Sequence, residues 1–323
     1  MLAIQIDRTG GPDVLEVKTV ADPEPGPGQI RIRHGAIGLN FIETYQRSGH
    51  YPMQLPRVLG NEAAGTVDAV GLGVRRFHVG DRAGYVSGST GSYAELAVID
   101  EARAIKLPRF ISDEAAAAVM LKGLTAEMLA RRVVALRPGQ WVLIHAAAGG
   151  VGQLLVQWAK AIGVTVIATA GSPEKLQAAH EHGADHLIDY TNADWADQVR
   201  ALTDGEGVDV VYDGVGRSTF DGSLHCLARR GTLALYGGAS GPVPPVDPLQ
   251  LMRGGSLYLT RPTLFDYTAT TAELDEGARA LFTLMRDGML KVQVGQSFAL
   301  KDAAEAHRAL EARQTTGSTL LIP

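Results

Sequence analysis

Cysteine is almost missing: Cys226 is the one thiol in 323 residues. A lone cysteine excludes an internal disulfide and any zinc site built from several thiolates. No apolar run is long enough to span a bilayer. Basic runs are missing too, and Asp plus Glu outnumber Lys plus Arg by 35 to 30. Without a basic stripe, nucleic acid is disfavoured as the main ligand. The N-terminus has Asp7 and Arg8 after a short alternating run, unlike a signal peptide. A cytoplasmic, soluble globular protein is expected, with a length suited to roughly two domains.

What is present concentrates at residues 140–152, QWVLIHAAAGGVG. Trp141 to Ala146 reads as a buried strand that enters a glycine cluster, which opens directly into the helical pattern 154–160. A strand, a glycine turn and a helix N-terminus together make an anion site, because free backbone N–H groups and the helix dipole face one spot. Ala148, Gly149, Gly150 and Val151 line this turn, and Gly149 and Gly150 let the backbone approach a pyrophosphate. Gly152 lets the helix pack closely on the strand.

The next strand decides the cofactor. Residues 165–169 run into Ala170-Gly-Ser-Pro-Glu-Lys175. A site selective for NAD places a carboxylate at the strand end for the ribose 2′-hydroxyl. Here the end holds Thr169, Ala170, Gly171 and Ser172, with Lys175 one helical turn later. A hydroxyl and an ammonium attract a 2′-phosphate, so NADPH is expected over NADH. Ser172 also reads as a helix cap with Pro173 at the first helical position, and both roles can hold together.

Along the chain, residues 1–122 read as β-rich with glycine and proline punctuation. Residues 123–261 alternate strand and helix, with strands expected at 141–146, 165–170, 186–190, 208–213, 232–236 and 256–260. That alternation predicts an α/β fold with a parallel, doubly wound sheet. Residues 262–323 return to mixed structure, with helices at 272–287 and 302–312 and strands at 290–294 and 318–322. The expected architecture is a Rossmann domain inserted into a β-rich domain to which the C-terminus returns.

Several segments together carry a family likeness: GLNFIETY at 38–45, RSGHY at 47–51, GNEAAG at 60–65, VGLGV at 70–74 and VGDR at 79–82. KGLT at 122–125, HAAAGGVG at 145–152, VYDGVG at 211–216 and SLYLTRP at 256–262 complete the set. On these the chain resembles the medium-chain dehydrogenase/reductase superfamily, and within it the zinc-free quinone oxidoreductases related to zeta-crystallin. The resemblance spans essentially the whole length and implies a GroES-like catalytic domain around the Rossmann domain.

Zinc-dependent relatives bind a catalytic metal through Cys, His and a third ligand. Asn40 and Asn61 stand where that pattern places the first Cys and the His, and no thiol lies near Leu121 and Lys122. A neutral amide is a poor zinc ligand, so no metal is expected. Alcohol oxidation needs help at the hydroxyl. A quinone is already electron-poor, so the protein need mainly orient the nicotinamide against it and exclude water.

The resemblance places Asn40, Phe41 and Tyr45 beside the nicotinamide and the substrate, with Tyr51 at the rim. Asn40, Tyr45 and Tyr51 are the candidate catalytic residues. Either tyrosine can hydrogen-bond a substrate oxygen or donate a proton, and either can instead simply pack. Gly216 ends the fourth strand, where the glycines of 213–216 suit a ribose or a plain turn. Tyr236, Gly237, Gly238 and Ser240 end the fifth, offering backbone to the carboxamide. Tyr190 can stack on adenine. Thr125 resembles a cofactor-contacting threonine, and Arg313 an arginine reaching the 2′-phosphate. Glu62 is expected to hydrogen-bond backbone where zinc relatives support their metal.

The function expected is NADPH-dependent quinone reduction. The alternatives are reduction of an enone, 2-alkenal or enoyl thioester, or a structural or RNA-binding role. A homodimer through 256–260 is the family habit, since an open sheet edge can pair with its copy.

Overall fold

Six short apolar runs hydrogen-bond into one sheet. Its spatial order is His186–Asp189, Thr165–Ala170, Trp141–Ile144, Val208–Asp213, Leu227–Leu235 and Tyr258–Thr260. Every pairing is parallel. Numbered along the chain this is 3-2-1-4-5-6, the doubly wound order, which places ligands beyond the carboxyl ends of the strands where the order reverses. Here that point lies past Ile144 and Asp213. Parallel strands need crossovers, which include the helices Gly150–Ile162, Pro173–Glu181, Trp195–Leu202 and Phe220–His225. Leu143, Ile167, Val211 and Leu233 are fully buried in the sheet. Each such side chain contributes roughly 1.5–3 kcal/mol of burial.

A computed structural model describes residues 1–87 and 91–323. Part of the Ser/Gly loop ahead of Tyr93 lies outside them. The chain divides into two compact units. The nucleotide unit comprises Gly123–Tyr267 and Thr283–Lys291. The other comprises Met1–Lys122, Thr268–Phe282 and Val292–Pro323.

In that second unit the strand Gln29–Leu39 is the hub. It pairs antiparallel with Glu62–Val70, Leu96–Asp100 and Ser318–Ile322. The closing strand therefore returns to the first sheet, as the sequence pattern predicts. Ile30, Ile32 and Ile37 from the hub pack with Ile4, Tyr85 and Leu321.

Several boundaries differ from expectation by one or two residues at an end, and three differences have a local cause. The first nucleotide strand stops at Ile144, because Ala146 turns into the left-handed region at φ 50°. The fifth begins at Leu227, since Leu227 already pairs with Val208 ahead of an irregularity in the register. Residues 290–294 do not form a strand; Val294–Ala299 does, parallel to Ser318–Ile322. The reason is local. Gln157 donates to the Lys291 carbonyl at 3.1 Å and accepts the Lys291 N–H at 2.7 Å, so a side chain takes the groups a ladder would need.

Candidate active site

The glycine turn is built by close approach. Gly149 caps the helix Gly150–Ile162 in an extended conformation, and its N–H bonds the Ala146 carbonyl at 2.8 Å. A Cβ on Gly152 would lie 2.4 Å from that carbonyl and 2.8 Å from the Ala147 Cα. Only glycine fits there. The N–H groups of the first helical turn have no partners within the helix, so Gly150 and Val151 present donors to an anion while Ala148 and Gly149 form the approach.

Beyond the second strand, the Ser172 hydroxyl accepts the Lys175 N–H at 3.4 Å, with Pro173 first in the helix. The cap expected of Ser172 is therefore real. Sequence reasoning passed over Glu174, which is exposed beside it. Its own backbone N–H and the Ser172 hydroxyl hold its carboxyl below the usual range. Lys175 is half-buried, and Tyr190 is half-buried against the unit's core, 6.4 Å ring to ring from His145. Thr169 has a structural role that the sequence pattern does not show. It is fully buried, its hydroxyl bonds His145 Nδ1 at 2.7 Å, and its carbonyl takes the Ala147 N–H. Thr169 braces the turn from inside.

That brace is a buried network which the sequence pattern does not announce. His145 Nε2 meets the Ser223 hydroxyl at 3.0 Å, and Ser223 and Thr219 both donate to Asp213 Oδ2. Asp213 Oδ1 accepts the N–H groups of Val215 and Gly216 at 2.7 and 2.9 Å. Burial lowers the His145 pKa, with the Asp213 charge opposing. The network ties the ends of the first, second and fourth strands, so the two turns facing the ligand crevice are held as one piece. Gly216 sits at φ 89°, a conformation that favours glycine.

Past the fifth strand, the N–H groups of Tyr236 and Gly237 go to the Asp213 carbonyl. Ser240 is likewise occupied: its hydroxyl donates to the Val215 carbonyl at 2.8 Å and accepts the Ser218 N–H at 3.0 Å. It fastens one loop to the other. Gly238 lies in the same loop, closed by the Gly241 N–H on the Gly238 carbonyl. Thr125 is inside the helix Asp113–Glu127, so it is not an N-terminal cap.

The other unit holds the remaining candidates. The hub strand ends at Leu39 and is followed directly by Asn40, which caps the helix Phe41–Ser48. The Asn40 N–H donates to Glu43 Oε2 at 2.7 Å, and its side-chain Nδ2 donates to Glu62 Oε1 at 2.8 Å. Its Oδ1 is buried with no hydrogen-bond partner among the described residues; an acceptor left so costs roughly 1–3 kcal/mol. Glu62 also accepts the Leu121 N–H at 2.6 Å, the backbone bond expected of it, and the Lys122 ammonium at 3.2 Å. Asn61 donates to Glu43 Oε1 at 2.6 Å. Burial, with Glu62 nearby, pushes Glu43 up to about 7 against the pull of Asn61.

A fixed lysine cation thus lies among the positions where zinc relatives bind metal. Among the described residues no group of three or more His, Cys, Asp or Glu is arranged to hold a metal.

Phe41, Tyr45 and Tyr51 form an aromatic cluster that also contains His50. Tyr45 and Tyr51 meet edge to face at 5.4 Å, and His50 stacks on Tyr51 at 5.3 Å. His50 was not foreseen; its neighbours in the RSGHY segment carry the only signal. Arg313 is exposed at φ 59° beyond the helix Ala303–Glu311, its N–H on the Leu310 carbonyl.

Comparison with known proteins agrees with this geometry. A family model described as an alcohol dehydrogenase GroES-like domain matches residues 26–109, and one described as a zinc-binding dehydrogenase matches 150–280. A quinone oxidoreductase of Pseudomonas aeruginosa is 51% identical over 99% of both chains. A 2-haloacrylate reductase of Burkholderia sp is 42% identical over 100% of this chain and 99% of its own. The crystal structure of an Escherichia coli quinone oxidoreductase complexed with NADPH superposes with a TM-score of 0.98 at 44% identity, covering 100% of both chains.

Proposed function

The chain belongs to the quinone oxidoreductases of the medium-chain dehydrogenase/reductase superfamily, and from that premise we propose that it reduces a quinone at the expense of NADPH. The observation that carries the reading is a strand end that offers Ser172 and Lys175, with no carboxylate on the strand itself, beside a turn shaped for pyrophosphate. Bound NADPH supplies the hydride.

The chain's own residues hold and orient. Ala148, Gly149, Gly150 and Val151 receive the pyrophosphate, Lys175 and Arg313 the 2′-phosphate, and Tyr190 the adenine. Gly216, Tyr236, Gly237 and Gly238 offer backbone to the ribose and carboxamide. Thr125, Asn40 and Phe41 complete the cofactor contacts. Ser172 orders Lys175 by capping its helix, and Ser240 fixes the loop.

Phe41, Tyr45, His50 and Tyr51 give a planar, electron-poor ring aromatic faces and edges to pack on. Tyr45 or Tyr51 donates a hydrogen bond to the quinone oxygen. Two asparagines at the ligand positions of zinc relatives, with a lysine cation in place, suit an acceptor that gains aromaticity on reduction and needs no Lewis acid.

A second reading, reduction of a conjugated carbonyl, is favoured by the likeness to a 2-haloacrylate reductase. An acceptor panel with NADPH separates the two. Turnover of 1,4-benzoquinone well above that of 2-alkenals is expected; the reverse order replaces the quinone reading with the enone one.

We propose a homodimer as well, formed along Tyr258–Thr260. Among the described residues this strand pairs on one side only, with Leu227–Leu235, and Tyr258 is 61% exposed. Light scattering should report twice the 34.2 kDa chain mass, and a monomer at micromolar concentration contradicts it. A cytoplasmic location is the companion proposal, tested by cell fractionation.

A further inference from the structure

We propose that Glu62 is a positioning residue: with Lys122 it fixes the Asn40 carboxamide so that Oδ1 is presented as a hydrogen-bond acceptor to an N–H or O–H group of a bound reactant. This rests on the proposed reading that Asn40 contacts the reactants.

The argument is one of donors and acceptors. A carboxylate only accepts. Three donors converge on Glu62: Asn40 Nδ2 at 2.8 Å and Lys122 Nζ at 3.2 Å on Oε1, and the Leu121 N–H at 2.6 Å on Oε2. Turning the Asn40 amide over would set Oδ1 against Oε1, two acceptors face to face. The amide has one orientation, and it leaves Oδ1 as the acceptor without a partner among the described residues. The backbone is held at the same residue by the Asn40 N–H on Glu43.

The cradle is made for this carboxylate. A Cβ on Gly38 would fall 2.2 Å from Glu62 Oε1 and 2.5 Å from the Ala117 carbonyl. Glu62 is fully buried and Lys122 nearly so. A buried ion pair is weak support for stability, because the desolvation cost offsets its attraction. What this pair does determine is the direction of one amide, whose oxygen is the orphan in the cluster. The missing donor belongs either to the dinucleotide, as a carboxamide N–H or ribose hydroxyl, or to the hydroquinone product.

Three variants test the proposal: Glu62→Gln, Asn40→Ala and the double variant Asn40→Asp with Glu62→Gln. Glu62→Gln offers an NH2 group to the amide and lets it turn over, withdrawing the unpartnered acceptor. In the double variant the amide introduced at position 62 donates to the inner oxygen of the carboxylate introduced at position 40. The outer oxygen of that carboxylate is an acceptor again. Three quantities are read: the Kd for NADPH by fluorescence titration without quinone, kcat and KM for 1,4-benzoquinone at saturating NADPH, and the melting temperature.

Glu62→Gln should lose roughly tenfold or more. The loss falls on the NADPH Kd if the donor is on the dinucleotide. It falls on kcat with Kd unchanged if the donor is on the hydroquinone. The double variant should recover most of that loss.

Glu62→Gln within twofold of wild type in both quantities overturns the proposal. So does a double variant that melts where the single one does yet recovers nothing, as a purely structural Glu62 predicts. If Glu62→Gln does not fold, Asn40→Ala carries the test, and wild-type affinity and turnover in it overturn the proposal equally. Wild-type protein that fails to reduce benzoquinone contradicts the proposed function and this inference together; an active wild type with unaffected variants contradicts the inference alone.

Discussion

At the scale of single residues, two neighbours on one helix turn pull the cofactor preference in opposite directions. On the proposed reading Lys175 favours a 2′-phosphate, while exposed Glu174 places a carboxylate beside it. Lys175→Glu should weaken NADPH by roughly ten- to a hundredfold while changing NADH little. Glu174→Gln should tighten NADPH and leave NADH unchanged. Equal effects on both dinucleotides, read by titration, contradict the assignment.

The glycines of the turn were legible because their spacing is dictated by sterics, and the Cβ of Gly152 would indeed strike the Ala146 carbonyl. Thr169 was not legible. A strand side chain faces one side or the other according to its partners, and only the fold shows that His145 claims its hydroxyl. The Glu62–Lys122 pair was hidden for the same reason: 60 residues separate its members.

At the scale of elements, two buried histidines tie segments together and make the fold sensitive to acid. His307, on the helix Ala303–Glu311, accepts from Arg47 on the helix Phe41–Ser48 and meets the Tyr93 hydroxyl, each at 3.0 Å. His34, on the hub strand, contacts the Ala94 carbonyl at 2.7 Å and the Tyr85 hydroxyl at 3.0 Å. Burial holds His34 down at about 4, and burial with the Arg47 charge holds His307 at about 3.

An unfolded chain protonates these rings near pH 6.5. The unfolded state therefore binds protons that the folded state refuses, so stability present at neutral pH falls as the pH drops from about 6.5 toward 4 and 3. Each histidine costs about 1.4 kcal/mol per pH unit in that window, or about 2 kcal/mol at pH 5. Buried His145 adds to this loss, while Glu43, pushed up to about 7, takes up a proton in the folded state over the same window and opposes it. In urea denaturation His307→Gln should therefore lose about 2 kcal/mol less than wild type between pH 7 and 5, and an equal pH dependence in the two proteins contradicts the assignment.

Elements were legible where hydrophobic period and punctuation agreed, as in Thr165–Ala170 and Val208–Asp213, whose bounds matched. They were misread where a side chain intervened: the alternation at 290–294 resembles a strand, yet Gln157 binds its backbone.

At the scale of the whole molecule, the alternation of strands and helices was enough to imply a parallel, doubly wound sheet; the 3-2-1-4-5-6 order is set by the fold, because other doubly wound orders suit the same alternation. The return of the C-terminus to the first sheet also follows, with Leu321 paired to Ile37. The central claim joins both ends of the chemistry: a pocket that selects a phosphorylated dinucleotide serves an acceptor that requires no metal. The most direct test is the steady-state reduction of 1,4-benzoquinone by protein dialysed exhaustively against a strong chelator, with NADPH and NADH compared. Full activity with NADPH and a kcat/KM for NADH at least about tenfold lower is the predicted result. Equal use of the two dinucleotides, or activity that returns only when zinc is restored, would contradict it.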